Sequence, residues 1–146
     1  MQKGAAPDQY HTATHSHSFA VDSYEACTAC HDNQAAGLIA FTASQITNTI
    51  TAITGDLNTW ALTKAPAALR TKYGVRAWEY TTPGELSSGG SGPTAAEQAL
   101  VPVNIQKARF DLYLVLHDGS FGVHNGPYAF KLLDAAQTWV QQELNR

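Results

Sequence analysis

The sequence predicts an all-α fold: an open bundle of about three long helices with an extended N-terminal arm. Apolar residues recur at three- and four-residue steps through three long stretches. Short connectors marked by glycine and proline separate those stretches. A chain of 146 residues is one domain's worth, enough for a single core of modest size.

Residues 1–25 are polar and histidine-bearing without sustained periodicity, which predicts the arm; residues 26–146 form the helical domain. From about Gln34 to Leu62, the residues Ile39, Ile46, Ile50, Ile53, Leu57 and Trp60 predict an amphipathic helix with a narrow, coiled-coil-like stripe. Its other face is unusual. Asp56 is the only charged residue between Asn33 and Thr63, and threonine, a mediocre helix former, fills much of the rest. Such a face is either packed against another subunit or a bland solvated surface.

A short helix follows from Pro66 to Tyr73, with proline in its first turn and Gly74 as a stop. Residues 81–93 are a loop by composition. Thr94-Ala95-Ala96-Glu97 fits a capping box, and Pro102 forces a break and restart. Ile105, Ala108, Leu112 and Val115 mark a second long helix ending near His117. Asp118 to Gly122 is a turn, and His124-Asn125-Gly126-Pro127 opens the last helix, which carries Leu132, Leu133, Ala136, Trp139, Val140 and Leu144. No internal repeat is present.

Composition narrows the function classes. Charged residues make up 14%, well below the usual quarter. The formal charge of −3 supplies no electrostatic footprint for nucleic acid or an anionic membrane. No run of 18 apolar residues exists, so no membrane span is expected. Two cysteines are too few for a disulfide framework, while six histidines need an explanation.

That explanation begins at Cys27-Thr28-Ala29-Cys30-His31. C-x-x-C-H is the attachment sequence of haem c. Each thiol adds to one porphyrin vinyl group, and the adjacent imidazole reaches the iron as proximal ligand. A thioredoxin-like redox pair needs a β-α-β context, which the long helix after Cys30 does not provide. A structural zinc site needs a second ligand pair, and no other cysteine exists. A simple disulfide would leave His31 unexplained. The expectation is one haem c, covalent through Cys27 and Cys30 and ligated by His31. Attachment takes place outside the cytoplasm, so a periplasmic or extracellular location is expected; Met1 to Pro7 has no apolar core of a signal peptide.

The second axial ligand is less determined. The single methionine is Met1, which disfavours a His/Met cytochrome, and a cytochrome c′ bundle carries its motif near the C-terminus. The remaining options are His/His ligation or an open site. His11, His15 and His17 lie on the arm, which is equally readable as polar and solvated. His117 ends a helix, where an imidazole interacts with the last carbonyls. His124 sits in a turn framed by Gly122, Gly126 and Pro127, able to aim an imidazole with little rotational freedom or to be a surface histidine. Tyr24, Phe41, Trp60, Phe110, Tyr113, Phe121 and Trp139 could wall a haem pocket, although each is more often ordinary core.

The stretch from Ala108-Arg109-Phe110-Asp111 through Asp118-Gly119-Ser120-Phe121-Gly122-Val123-His124-Asn125-Gly126-Pro127-Tyr128-Ala129 to Leu132-Leu133 resembles the closing segment of multihaem c-type cytochromes. The ammonia-forming cytochrome c nitrite reductases and their relatives carry that segment. The order also resembles that family: an arm histidine (His17), the motif Cys27 to His31, a long helix, then His124. The likeness spans roughly residues 15 to 140 on short motifs. It implies that His31 is proximal and His124 distal on the same haem, and that His17 ligates a neighbouring haem. Two departures stand out. The family's proline after asparagine is Gly126 here, with Pro127 following, and only one haem motif is present. No C-x-x-C-K occurs, so reductase activity does not transfer with the fold.

The functional expectation is electron transfer by a low-spin, bis-histidine haem c, at a potential below that of a His/Met cytochrome. Redox proteins are the implied partners. With one motif per chain, His17 would find its haem in another chain, which implies a homo-oligomer or multihaem assembly with ligation in trans. The rivals are a haem enzyme or gas-binding protein with an open sixth position, and a structural haem-bearing subunit of a larger complex.

Overall fold

The threonine-rich stretch forms a single helix, α1 (Ala35–Thr63), entered through a 3-10 turn at Asp32–Gln34. A computed structural model describes Thr28 and residues 32–82, 84–87, 89–123 and 125–146; the predicted arm lies outside the described residues. After α1 come α2 (Ala67–Tyr73), a 3-10 turn at Gly74–Trp78, another at Glu97–Leu100, α3 (Val103–Asp118) and α4 (Gly126–Leu144). Among the described residues there is no strand. The fold is all-α, as the periodicity predicts, with three of the four α-helices long.

Threonine is tolerated in α1 because its hydroxyls are satisfied inside the helix. Thr47, Thr49, Thr51, Thr54, Thr59 and Thr63 each donate to the carbonyl four residues earlier, at 2.7 to 2.9 Å. The helix stops where Pro66 removes the next donor, and α2 ends at Gly74 with φ +55°.

Packing follows the predicted stripes. Ile46, Ile50, Ile53, Leu57 and Trp60 of α1 are buried, as are Ile105, Ala108, Leu112 and Val115 of α3 and Leu133, Ala136 and Val140 of α4. Helix α4 packs against both α1 and α3, while α1 also lies on the Gly74–Trp78 turn. Full burial of each branched aliphatic side chain is worth about 1.5–3 kcal/mol. Polar ties set the register of these surfaces. Asp56, the one charge of α1, accepts from Gln137 and from Gln141 at 2.9 Å, both on α4. Asn58 accepts from the Trp78 indole at 2.9 Å, and Asn104 of α3 donates to Glu143 of α4 at 2.8 Å.

The predicted capping box is formed. The Thr94 amide donates to Glu97 Oε2 at 3.0 Å, and the Glu97 amide donates to Thr94 Oγ1 at 3.4 Å. The turn it starts is short, because Pro102 breaks the chain and caps the restart at Val103. The loop over 81–93 is tied down as well. Arg76 donates to the Gly89 carbonyl at 2.6 Å, and Thr81 donates to Pro93 at 2.8 Å. Gly92 is required there, since a Cβ would sit 2.1 Å from the Tyr80 carbonyl oxygen.

Two outcomes check this arrangement. Leu57→Ala, at a position with no exposed surface, should lower the unfolding free energy by about 2–5 kcal/mol in denaturant titration. Exposed Thr59→Ala should stay within about 0.5 kcal/mol. Glu97 also accepts from Lys72 at 2.8 Å and from the Tyr73 hydroxyl. The Lys72 bond first, then those of Thr94 and Tyr73, hold its carboxyl at about 2 rather than 4.5. A folded-state pKa below the unfolded value gives stability that is present above 4.5 and lost as pH falls through about 2. Thermal melts over that window should therefore fall more steeply for the wild type than for Glu97→Gln.

Candidate haem groove

Cys27, Cys30, His31, His17 and His124 all lie outside the described residues, as do His11, His15 and Tyr24. Their sequence neighbours, however, are described on both sides of the candidate site. Asp32, which follows His31 in sequence, has a left-handed φ of +49° and begins the 3-10 turn into α1. Val123 and Asn125 flank position 124 at the entry to α4.

The fold brings these two segments together. Ala35, Leu38, Ile39 and Thr42 from the first two turns of α1 face Gly122, Val123, Gly126 and Pro127 across an open groove of about 300 Å³. The lining is apolar except for Thr42. Such a surface suits the flat, apolar body of a porphyrin and gives a polar ligand few partners.

Backbone geometry shapes the turn. Gly119, Phe121 and Gly122 have φ of +68°, +48° and +82°, reversing the chain sharply after α3. Gly122 lies so close to α1 that a Cβ would stand 3.2 Å from Ile46 Cγ1 and 3.4 Å from Thr42 Cγ2. On the other side Asn125 caps α4: its Oδ1 accepts from the Tyr128 amide at 3.2 Å, and Pro127 occupies the first turn. Ser120, buried, donates to Asp118. Gly122 is thus seated on α1, and Asn125 caps α4.

Other sequence candidates fall elsewhere. His117 ends α3 with its Nε2 3.3 Å from Glu85 Oε2 and its ring 5.4 Å from that of Tyr113. It lines a separate cleft of about 410 Å³ with Tyr80, Phe110 and Leu114, away from the groove residues. None of the described aromatic candidates lines the groove. Trp60 and Tyr113 are core, Phe41 and Phe110 point outward, and Phe121 and Trp139 pack half-buried against the core. Aliphatic residues one helical turn apart wall the groove instead.

The structure also shows a buried polar centre that no motif announced. Glu79 is fully buried; its carboxylate accepts from the amides of Tyr80 (3.1 Å) and Gly84 (3.3 Å) and from the Tyr113 hydroxyl (2.9 Å). Arg109, also buried, donates to the carbonyls of Trp78 and Glu79, both at 2.9 Å, and lies 4.1 Å from the Tyr80 ring. Burial first, then Glu79, raises the Tyr113 phenol well above its ordinary range. Burial likewise raises the Asp111 carboxyl of α3. The only sequence signal was charge set within apolar, aromatic stretches, Trp78-Glu79-Tyr80 and Arg109-Phe110-Asp111. This centre anchors the 79–84 segment on α3 and contacts neither groove wall.

Among the described residues, no three histidine, cysteine, aspartate or glutamate side chains gather to hold a metal ion, and no helix is long and apolar enough to cross a membrane. No protein-family model matches this chain, and neither a curated protein nor a solved structure matches it.

The seating of the turn has a measurable consequence. Gly119 and Gly122 are both left-handed, but only Gly122 has neighbours within 4 Å of a would-be Cβ. Gly119→Ala should cost about 1–2 kcal/mol from backbone strain alone. Gly122→Ala should cost more, because Ile46 or Thr42 must also shift; thermal denaturation of the pair reads the difference.

Proposed function

We propose that this chain is an exported electron-transfer cytochrome carrying one haem c, held by thioether bonds to Cys27 and Cys30 and ligated by His31 and His124. The observation that supports this reading most is the groove between the start of α1 and the turn around position 124. In the sequence His31 precedes the groove residue Ala35 by four positions, and His124 falls between the groove residues Val123 and Gly126. The apolar lining fits the group, and the glycines of the turn let its backbone approach α1 closely.

In this reading the haem supplies one-electron chemistry, and the chain's own residues do the rest. Ala35, Leu38, Ile39 and Val123 would form an apolar wall for the group and keep water from it, which would help set the potential. The Asn125 cap and Pro127 fix the start of α4 directly after position 124, which would leave an imidazole there less entropy to lose on ligation. Two imidazoles leave no position for substrate, which makes the protein a carrier of electrons rather than a catalyst. The outward partners are redox proteins in the periplasm or outside the cell. In the same reading, His17 would ligate the haem of a neighbouring chain.

The test is optical. Protein matured in a host that attaches haem c should give one haem per chain by pyridine haemochrome, with a low-spin ferric spectrum. His124→Ala should turn that spectrum high-spin while the covalent haem remains. A low-spin spectrum unchanged in His124→Ala removes the distal assignment, and a chain without covalent haem removes the function. His17→Ala should leave an isolated monomer's spectrum unchanged and alter only that of an assembled form.

A further inference from the structure

The outer face of α1 is built unlike the rest of the surface. Phe41, Asn48, Gly55 and Leu62 are spaced seven residues apart, and all four are exposed, Phe41 by 65% and Leu62 by 54%. Heptad spacing keeps them near one line along the helix, about 31 Å long, on the side away from Ile46, Ile53 and Trp60. Gln45, Ala52 and Thr59 fill the line between them and are exposed too. No charge lies on this face, because Asp56 is turned to Gln137 and Gln141 of α4. The exposed threonine hydroxyls at 47, 51 and 59 are spent on the helix's own carbonyls, so they offer water little beyond their methyl groups.

Gly55 adds an independent observation. A glycine inside a helix costs roughly 1 kcal/mol relative to alanine. Among the described residues nothing lies within 4 Å of where its Cβ would be, so no contact between them requires it. A glycine kept at such a point leaves room for another body to approach the backbone.

We infer that this face pairs with the same face of a second copy, α1 against α1, antiparallel, about a two-fold axis passing between Thr51 and Ala52. The layout is self-complementary in that arrangement. Phe41 of each copy meets Leu62 of the other at both ends, and the Asn48 side chain fills the space left by Gly55. A parallel pair would instead stack Gly55 on Gly55 and leave a void, with two Asn48 amides facing each other. Antiparallel helix dipoles also attract. A charged partner gains nothing from a face with no charge, which favours a second copy over an unrelated acidic or basic protein. The strip is about 31 Å by about 10 Å, on the order of 300 Å² per copy, against about 800 Å² per side for a stable complex. The pair is therefore concentration-dependent rather than obligate. The candidate haem grooves lie on the other side of α1 and, in this pair, at its opposite ends. The inference does not depend on the haem.

Sedimentation velocity of the full chain over a concentration series tests it. The mass should rise from 15.7 kDa toward twice that value. Phe41→Lys and Ala52→Glu should each remove the rise, with helical circular dichroism unchanged. The double variant Phe41→Lys/Leu62→Glu should recover association, since antiparallel pairing sets opposite charges against each other at both ends. A mass of 15.7 kDa at every concentration overturns the inference, as does association that survives Ala52→Glu. A double variant that stays monomeric overturns the antiparallel register.

Discussion

The buried seam of α1 is the surface on which the rest of the molecule is assembled. Ile46, Ile50, Ile53, Leu57 and Trp60 present one continuous apolar strip, and α4 and the Gly74–Trp78 turn both close on it. The strip binds α4 and that turn and leaves the opposite face of the helix, with Phe41 and Leu62, exposed. Helix α3 attaches mainly to α4 rather than to α1.

Apolar packing alone would let these helices slide, and a few polar groups prevent it. Asp56, Asn58 and Asn104 each have partners on another element, so a shift of one turn would strand a hydrogen-bonding group against an apolar surface. Glu79 and Arg109 do the same for the segment between α2 and α3. With those registers fixed, the first turns of α1 necessarily face the turn before α4. The candidate groove is a consequence of that register.

Helix positions were largely legible because they rest on local rules. Ile39 to Trp60 recur at helical spacing, Pro66 and Pro102 cannot be helix-interior donors, and Thr94 with Glu97 closes a reciprocal pair within four residues. The helices consequently begin and end within a few residues of expectation. Gly126-Pro127 reads as a helix start for the same reason. The polar centre at Glu79 was not legible, since a buried carboxylate and an exposed one look alike until the amides of Tyr80 and Gly84 and the hydroxyl of Tyr113 are known to surround it. The aromatic residues show the same limit. Phe41 and Phe110 have the composition of pocket walls but point outward, whereas the groove is lined by Leu38, Ile39 and Val123.

From the sequence alone came the helical class and the order and ends of the helices, because periodicity and capping each act over a few residues. The structure alone decided which segments meet. Residues 35–42 and 122–127 are some eighty positions apart, and only the packing of α4 against α1 brings them to the two sides of one groove. The charge-free face of α1 shows the same division. Its composition was visible from the start, but that it points away from the core, with Asp56 withdrawn from it, depends on contacts between residues far apart in the chain.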